Sequence, residues 1–307
     1  MVNPLKVFKI IRIALKTGTV TCRYPYTKPL VTSEFRGRIL IDPNKCRGCG
    51  LCSRVCPTKA LTFTIERGGR RVLSYFAGQC IFCGLCIEAC RFNAISFTQD
   101  FELATNSLDD LQQIIVHEPP KPQVKVEPSR SVESEVAPLN PLPKHLGRSI
   151  WVFHLNTGSC NACDIEVLDV LTSYHDVERF GIKLVASPRH ADVALLTGPV
   201  TYESLPKVVN AISAMPRPRA ILALGTCAIG GNVWYDSYTV LGGVQNLLKL
   251  LAELNIPVDR VLYVPGCPVR PESIIHGIGL LIGLIEKKVK KRVFVKTPQI
   301  PLPRKPK

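Results

Sequence analysis

The chain has 307 residues, 46% of them hydrophobic, so it is long enough for two domains with apolar cores. Its start predicts no cleavable secretory signal, so its 13 cysteines favour metal-binding thiolates in a reducing compartment over a disulfide framework. The net charge of +15 is concentrated at the ends, with +7 in residues 1–38 and +9 in residues 287–307. Such a pattern is typical of docking on an anionic membrane surface or an acidic partner, and argues against a nucleic-acid-binding groove.

Residues 4–16 predict a short amphipathic helix. Lys6, Lys9, Arg12 and Lys16 recur at helical spacing on one face, and apolar residues fill most other positions. A segment of this length cannot cross a bilayer as a helix, which takes about 20 residues. The helix therefore lies either in a membrane interface or on the chain's own core, and the segment alone favours neither.

Two cysteine runs, 46–57 and 80–90, share the spacing C-x2-C-x2-C-x3-C, and the second repeats the first 34 positions later. In such a run the first three cysteines reach one 4Fe–4S cluster and the fourth reaches the other. Zinc is the weaker alternative because the four-cysteine run occurs twice. The predicted ligands are Cys46, Cys49, Cys52 and Cys90 for the first cluster, and Cys80, Cys83, Cys86 and Cys56 for the second.

Residues 117–149 contain seven prolines and predict an extended linker, because their Pro–Pro, Lys–Pro and Glu–Pro steps exclude a helix or an inner strand. After this segment, short apolar strands alternate with helical stretches, which predicts a parallel sheet covered on both faces. The expected fold class is an α+β two-cluster ferredoxin domain joined by the linker to an α/β domain with a parallel, flavodoxin-like sheet. The expected parts are an amphipathic helix and basic approach segment (1–38), the ferredoxin domain (39–116), the linker (117–149), the α/β domain (150–286) and a basic tail (287–307).

Four more cysteines each follow a predicted strand. The strands are 150–155 for Cys160 and Cys163, 219–225 for Cys227, and 260–266 for Cys267. Loops after the carboxyl ends of parallel strands converge on one edge, so we predict that these four thiolates hold a third 4Fe–4S cluster. The alternative is a thioredoxin-like dithiol at Cys160 and Cys163, with the other two cysteines merely buried. Their equivalent strand-end positions favour the cluster.

Ionisable residues lie close to these cysteines in the sequence. Asp164 and Glu166 stand at a helix start, where the helix dipole stabilises acidic residues and is sufficient to account for Asp164. A role of Glu166 in proton transfer stays open. We predict that Arg189 and His190 hydrogen-bond near the third cluster and raise its reduction potential. His154, on the first strand, is expected to be a core histidine with satisfied hydrogen bonds.

The ferredoxin half resembles the two-cluster ferredoxin subunit of complex I and of related membrane-bound hydrogenases, both in its cysteine runs and in VTCRYPYTKP and FRGRILIDPNKC. The resemblance implies that residues 4–16 lie in the membrane interface. Cys22 matches no ligand position and is expected to be a buried structural thiol.

The segments NTGSCNACDIEVLDVL, SPRHADVALLTGPVT, GTCAIGG and VPGCPVRPE resemble the cluster-bearing small subunit of group 4 nickel–iron hydrogenases and its complex I counterpart. Quinone-reducing relatives usually have adjacent cysteines at the first ligand position. Here two residues separate Cys160 from Cys163, which is typical of the hydrogenases.

Together the two resemblances imply an electron-transfer subunit of a membrane-bound respiratory oxidoreductase, with three 4Fe–4S clusters and no catalytic residue of its own. It would lie peripherally on the cytoplasmic face of the cell membrane. The expected partners are a nickel–iron large subunit, integral membrane subunits and a soluble ferredoxin as electron donor, but no nucleic acid. The alternatives are the same role in a polysulfide- or quinone-reducing complex, or a soluble ferredoxin-type carrier.

Overall fold

A computed structural model describes residues 4–18, 20–117, 124–127 and 149–283, with side chains from residue 8 onward except in 124–127. Most of the predicted linker and the whole basic tail lie outside these residues. Helix α1 spans Pro4–Thr17, and each of its described side chains is exposed, including Phe8, Ile13 and Leu15. The α1 side chains described from Phe8 onward therefore do not pack on the chain's own core. None of the helices described is long and apolar enough to span a bilayer.

The ferredoxin half, which comprises the described residues from 20 to 127, contains short strands and two very short helices. Strands β1 and β4 pair antiparallel, and the remaining strands form an antiparallel sheet in the order β2-β3-β5-β6. The elements are β1 (Ile39–Ile41), α2 (Leu51–Val55), β2 (Leu61–Ile65), β3 (Arg71–Phe76), α3 (Leu85–Glu88), β4 (Ile95–Phe97), β5 (Gln112–His117) and β6 (Val124–Glu127).

Strand β6 lies inside the segment predicted to be an extended linker. Among the described strands it pairs only with β5, at the edge of the sheet, and no proline interrupts its four residues. The prolines exclude an inner strand but allow an edge strand, and β6 is an edge strand between Pro122 and Pro128. The segment is therefore not a linker along its whole length.

The α/β half (149–283) confirms the predicted parallel sheet. Its five strands are all parallel in the order β11-β10-β9-β7-β8, which is the flavodoxin-like order 2-1-3-4-5. Two of the three inner strands, β9 and β10, are buried at every position, as expected for a sheet covered on both faces. The elements are β7 (Ile150–Asn156), α4 (Ala162–Val170), β8 (Ile182–Leu184), β9 (Val193–Thr197), α5 (Leu205–Ala214), β10 (Ala220–Leu224), α6 (Gly225–Gly230), α7 (Val244–Glu253), β11 (Arg260–Val264) and α8 (Pro271–Leu281).

The two halves share one apolar core. Ala77 of the ferredoxin half belongs to the same buried cluster as Ile229 of α6. The backbones of Thr105 and Tyr263 exchange two hydrogen bonds, of 3.0 and 2.7 Å. The Ser273 hydroxyl donates a buried hydrogen bond to the Phe101 carbonyl. The ferredoxin half is therefore docked on the sheet in a defined orientation.

Candidate iron–sulfur sites

The two ferredoxin cysteine runs each form a loop that ends in a short helix. The third cysteine of each run, Cys52 in α2 and Cys86 in α3, is buried. Helices of five and four residues are too short to be stable alone, so contacts made by the loops must hold them in place.

The cysteines of these runs form two groups of neighbours. Cys90 lies close enough to Cys46 and Cys52 to interact with them electrostatically. Cys56 interacts in the same way with Cys80 and Cys86. The fourth cysteine of each run therefore lies near cysteines of the other run, as the spacing predicted.

Burial governs the chemistry of these thiols. It raises the pKa of Cys52 and of Cys80 to about 11, and that of Cys86 to about 12, with smaller contributions from neighbouring thiols. All 13 cysteines are free of disulfides. A metal ligand must be a thiolate, so binding iron at these positions releases protons that burial otherwise retains on sulfur.

Polar groups around the loops fit an iron–sulfur cluster. The backbone N–H groups of Phe82 and Ala94 donate to cysteine sulfurs at 3.4 Å. Nε2 of His117 is buried without a hydrogen-bond partner among the described residues, and the His117 ring would lie 2.8 Å from a Cβ on Gly48, in the first loop. The buried Tyr75 hydroxyl lies at the Cys80 thiol. The sulfur atoms of a bound cluster would supply hydrogen-bond acceptors for such buried donors.

A single metal ion would require a different arrangement. Within the described ranges, no group of three His, Cys, Asp or Glu side chains is placed to hold one ion. A 4Fe–4S cubane does not require three ligands around one ion, because each of its four cysteines bonds a different iron atom.

The remaining four cysteines meet at the carboxyl edge of the parallel sheet. Cys160 and Cys163 follow β7, Cys227 lies in α6 directly after β10, and Cys267 follows β11. The gap between β7 and β9 is where the strand order reverses, and open α/β sheets bind ligands at such a point. Burial, together with smaller contributions from the other three thiols, raises the pKa of Cys163 to about 12. The four sulfurs therefore belong to one site.

The third site is closed on one side and open on the other. Gly225 has φ +85°, and a Cβ there would lie 2.8 Å from Sγ of Cys163, so the backbone closes directly on this thiol. Cys160 and Cys267 are exposed, whereas Cys163 and Cys227 are partly buried. The exposed side leaves room for another molecule to cover the site.

A hydrogen-bond network around Asp164 supports the loop that carries Cys160. Oδ1 of Asp164 accepts from Thr197 at 2.6 Å and lies 2.9 Å from Nε2 of His154. Oδ2 accepts from Ser159 at 2.5 Å and from Asn156 at 2.6 Å. Burial opposes ionisation of Asp164, but these donors outweigh it and lower the pKa.

Sequence reasoning assigned Asp164 only to the helix dipole and His154 to the core, and so missed this network. The polar residues of NTGS, at the end of β7 and directly after it, were the available signal. Their side chains meet Asp164 only because the chain reverses between the strand and α4.

Glu166 faces the start of α8. Burial raises its pKa, Asp169 and Glu272 raise it further, and Arg270 and His175 oppose the rise. A raised pKa suits a carboxyl group that carries a proton, so proton transfer by Glu166 stays a prediction.

The predicted contact of Arg189 and His190 with the third site is wrong. Both residues lie in a 3-10 helix, Pro188–His190, and the His190 ring is 6.1 Å from the ring of Trp151. Trp151 stands near the beginning of β7, about 15 Å along the strand from the end that leads to Cys160. The segment SPRHAD enters β9, so it lies at the amino edge of the sheet, opposite the cysteines.

Cys22 lies outside all three groups and is buried, as expected for a structural thiol. Its backbone N–H donates to the Tyr174 carbonyl at 2.7 Å, and its own carbonyl accepts from Arg179. These contacts attach the approach segment to the α/β half.

Two paired cysteine runs and a flavodoxin-like sheet with four cysteines at its carboxyl edge define an iron–sulfur electron-transfer protein. Residues 45–94 match the family model of the 4Fe-4S dicluster domain, and residues 160–281 match the NADH ubiquinone oxidoreductase, 20 Kd subunit.

Curated relatives match about half of the chain. The chain is 46% identical over 156 residues to the probable membrane-bound hydrogenase subunit mbhJ of Pyrococcus furiosus, which covers 50% of this chain and 85% of that protein. Formate hydrogenlyase subunit 7 of Escherichia coli is 38% identical over 151 residues, covering 49% of this chain but only 55% of that protein.

Among solved structures, a chain of the membrane-bound sulfane sulfur reductase, an archaeal respiratory membrane complex, is 33% identical with a TM-score of 0.38. The match covers 47% of this chain and 74% of that one.

The chain belongs to the NADH ubiquinone oxidoreductase 20 kDa subunit family and carries a 4Fe-4S dicluster domain in addition. This confirms the resemblance to complex I and to membrane-bound hydrogenases. The chain is therefore a 4Fe–4S-binding subunit of an electron-transferring oxidoreductase.

Proposed function

We propose that the chain carries electrons through three 4Fe–4S clusters to or from a nickel–iron large subunit of a membrane-bound hydrogenase, without a catalytic residue of its own. The supporting observation is that the three cysteine groups follow one another through packed structure. The first group includes the exposed Cys49, and the third ends at the exposed Cys160 and Cys267. The dicluster domain (39–116) would receive electrons, and the α/β domain (150–286) would deliver them.

The first and second groups are adjacent because each run supplies one cysteine to the other group. Cys52 and Cys86, one from each run, also interact electrostatically. Two clusters held in this way would share the packing between α2 and α3, which favours fast transfer between them.

The second and third groups approach each other through the 3-10 helix Ala77–Gln79, which packs against α6. Cys80 directly follows this 3-10 helix, and Cys227 lies within α6. A Cβ on Gly78 would lie 2.7 Å from the Ile229 side chain, so the absence of a side chain permits this approach. The second cluster would therefore lie between the first and the third.

The open side of the third site suits a large subunit. Exposed apolar side chains lie close to its ligands in the chain, with Ile165 and Leu168 on α4, and Val233 and Trp234 after α6. Apolar surface of this kind next to a redox site is typical of a protein interface. The relative mbhJ is named as a membrane-bound hydrogenase subunit, and the Cys-x2-Cys spacing favours the same class.

The ferredoxin half suits a soluble, acidic electron donor. Lys45, Arg47 and Arg54 are exposed beside the exposed Cys49. Complementary charge accelerates encounter with a small acidic carrier such as a ferredoxin. We place the chain peripherally on the cytoplasmic face of the cell membrane, where the exposed apolar residues of α1 would contact lipid or integral membrane subunits.

Purification of the complex that contains this chain tests the proposal. A co-purifying large subunit with nickel is expected, together with about twelve iron atoms per copy of the chain after correction for other iron proteins. A large subunit without nickel would instead favour the polysulfide- or quinone-reducing alternative. A chain recovered wholly in soluble extract would contradict the membrane complex.

The cluster count is tested on the full chain. The double variant Cys160→Ala/Cys163→Ala should fall from about twelve to about eight iron atoms. Cys22→Ser is the matched control and should retain the full iron content. A parent chain with only eight iron atoms would remove the third cluster from the proposal.

A further inference from the structure

The Asn232 side chain points at two cysteine sulfurs of the third site. It is buried, and Nδ2 lies 3.3 Å from Sγ of Cys227 and 3.8 Å from Sγ of Cys267. The Thr226 hydroxyl lies 3.1 Å from Nδ2, as a third neighbour of the two amide hydrogens. These two cysteines come from different loops, so one amide group bridges two walls of the site.

The orientation of this amide is determined by its other end. Oδ1 of Asn232 accepts from the backbone N–H of Val233 at 2.6 Å, so the oxygen faces the backbone and the NH2 group faces the sulfurs. Asn232 has φ +55°, a left-handed conformation that asparagine tolerates better than most residues. The turn after α6 therefore presents a neutral donor in one defined direction.

We propose that the Asn232 amide raises the reduction potential of the third cluster by donating hydrogen bonds to the sulfurs of Cys227 and Cys267. This inference rests on the proposed function, because it requires a cluster at the third site. Reduction adds one negative charge, part of which resides on sulfur. A buried donor therefore stabilises the reduced state more than the oxidised state.

Two variants separate this role from support of the turn. Asn232→Gly keeps the left-handed backbone accessible and removes the donor without adding charge. Asn232→Asp keeps the shape and the Oδ1 acceptor but replaces the NH2 group with a carboxylate oxygen. Asn255→Gly is the matched control, since Asn255 has the same φ of +55° and stands exposed at the end of α7.

The measurement is a redox titration followed by EPR on the full chain, purified anaerobically with its clusters. In both Asn232 variants the third cluster should have a lower reduction potential than in the parent chain. The decrease should be larger for Asn232→Asp than for Asn232→Gly. We expect at least a tenfold change in the reduction equilibrium for Gly, about 59 mV for one electron. The first two clusters, and all clusters of the Asn255→Gly control, should be unchanged.

An unchanged or raised potential in Asn232→Gly, with the third signal present, would overturn the inference. Loss of the third signal in both variants would also overturn it, because Asn232 would then only maintain the turn. Absence of the third signal from the parent chain would instead overturn the proposed function.

Discussion

The two halves of this chain build their sites in opposite ways. In the ferredoxin half each run places four cysteines within eleven residues, 46–56 and 80–90, and the last cysteine of each run lies near a thiol of the other run. In the α/β half four cysteines are spread over residues 160–267 and meet only because three strands end at one sheet edge. The first two sites therefore depend on local spacing, and the third on the completed sheet.

The halves also differ in what stabilises them. The α/β half has two inner strands that are buried at every position, whereas the ferredoxin loops end in helices of five and four residues. Burial of apolar surface stabilises the sheet without metal. The ferredoxin loops have no such sheet of their own, so we expect bound clusters to contribute directly to their folding.

The largest expected effect comes from removing iron. A chelator applied to the reduced full chain should increase amide hydrogen exchange in 46–56 and 80–90 by orders of magnitude, while β9 and β10 stay protected, because only the former depend on metal for their fold. Amide hydrogen exchange that increases equally in both halves would show that the two halves do not differ in their dependence on metal.

The second effect comes from the exchanged cysteines. Cys56→Ala should abolish the EPR signal of the second cluster, and Cys90→Ala that of the first, because each serves the group of the other run. Cys22→Ser, at a buried cysteine outside both groups, should leave both signals intact. Loss of the first signal in Cys56→Ala would show that the ligands are not exchanged.

A third, smaller effect is expected at the backbone of the third site. Gly225→Ala combines positive φ with a Cβ 2.8 Å from Sγ of Cys163, so we expect it to lower the free energy of unfolding by about 2–4 kcal/mol and to perturb the third cluster.

Gly68→Ala is the matched control for Gly225→Ala, because Gly68 has φ +89° and open space around the position of a Cβ. It should lower the free energy of unfolding by only about 1–2 kcal/mol and leave every cluster unchanged. Denaturant unfolding and EPR of both variants are the measurements, and equal losses would show that strain alone explains them.

The smallest effect concerns the amino edge of the sheet, far from the cysteines. Asp259 accepts hydrogen bonds from the Arg217 side chain and from the backbone N–H of Arg219, which lower its pKa. Its stabilising contribution is therefore present above the unfolded pKa of about 3.9 and is lost as pH falls through the lower folded value.

Asp259→Asn should reduce this loss of stability in acid and leave all EPR signals unchanged. Unfolding curves of the parent and the variant between about pH 2 and 6 test this. An altered third-cluster signal would show that the two edges of the sheet are coupled.

Much of the fold could be predicted from local patterns. The cysteine runs predicted their own grouping, and the alternation of apolar strands and helical stretches predicted the parallel sheet. The errors concern segments at the edges of the sheets. Arg189 and His190 precede their strand and so lie at the amino edge of the sheet, and strand β6 lies within a proline-rich segment.

Spacing alone predicted which cysteines of the ferredoxin half belong together, because a tight loop limits the reach of each thiol to one or two corners of a cluster. The tertiary structure decided which polar groups face the sites. Asp164 gathers donors from β7 and β9, and Asn232 spans the cysteines of two loops. These contacts depend on the direction in which each loop leaves the sheet, and this direction is set by the packing of the whole sheet and not by neighbouring residues.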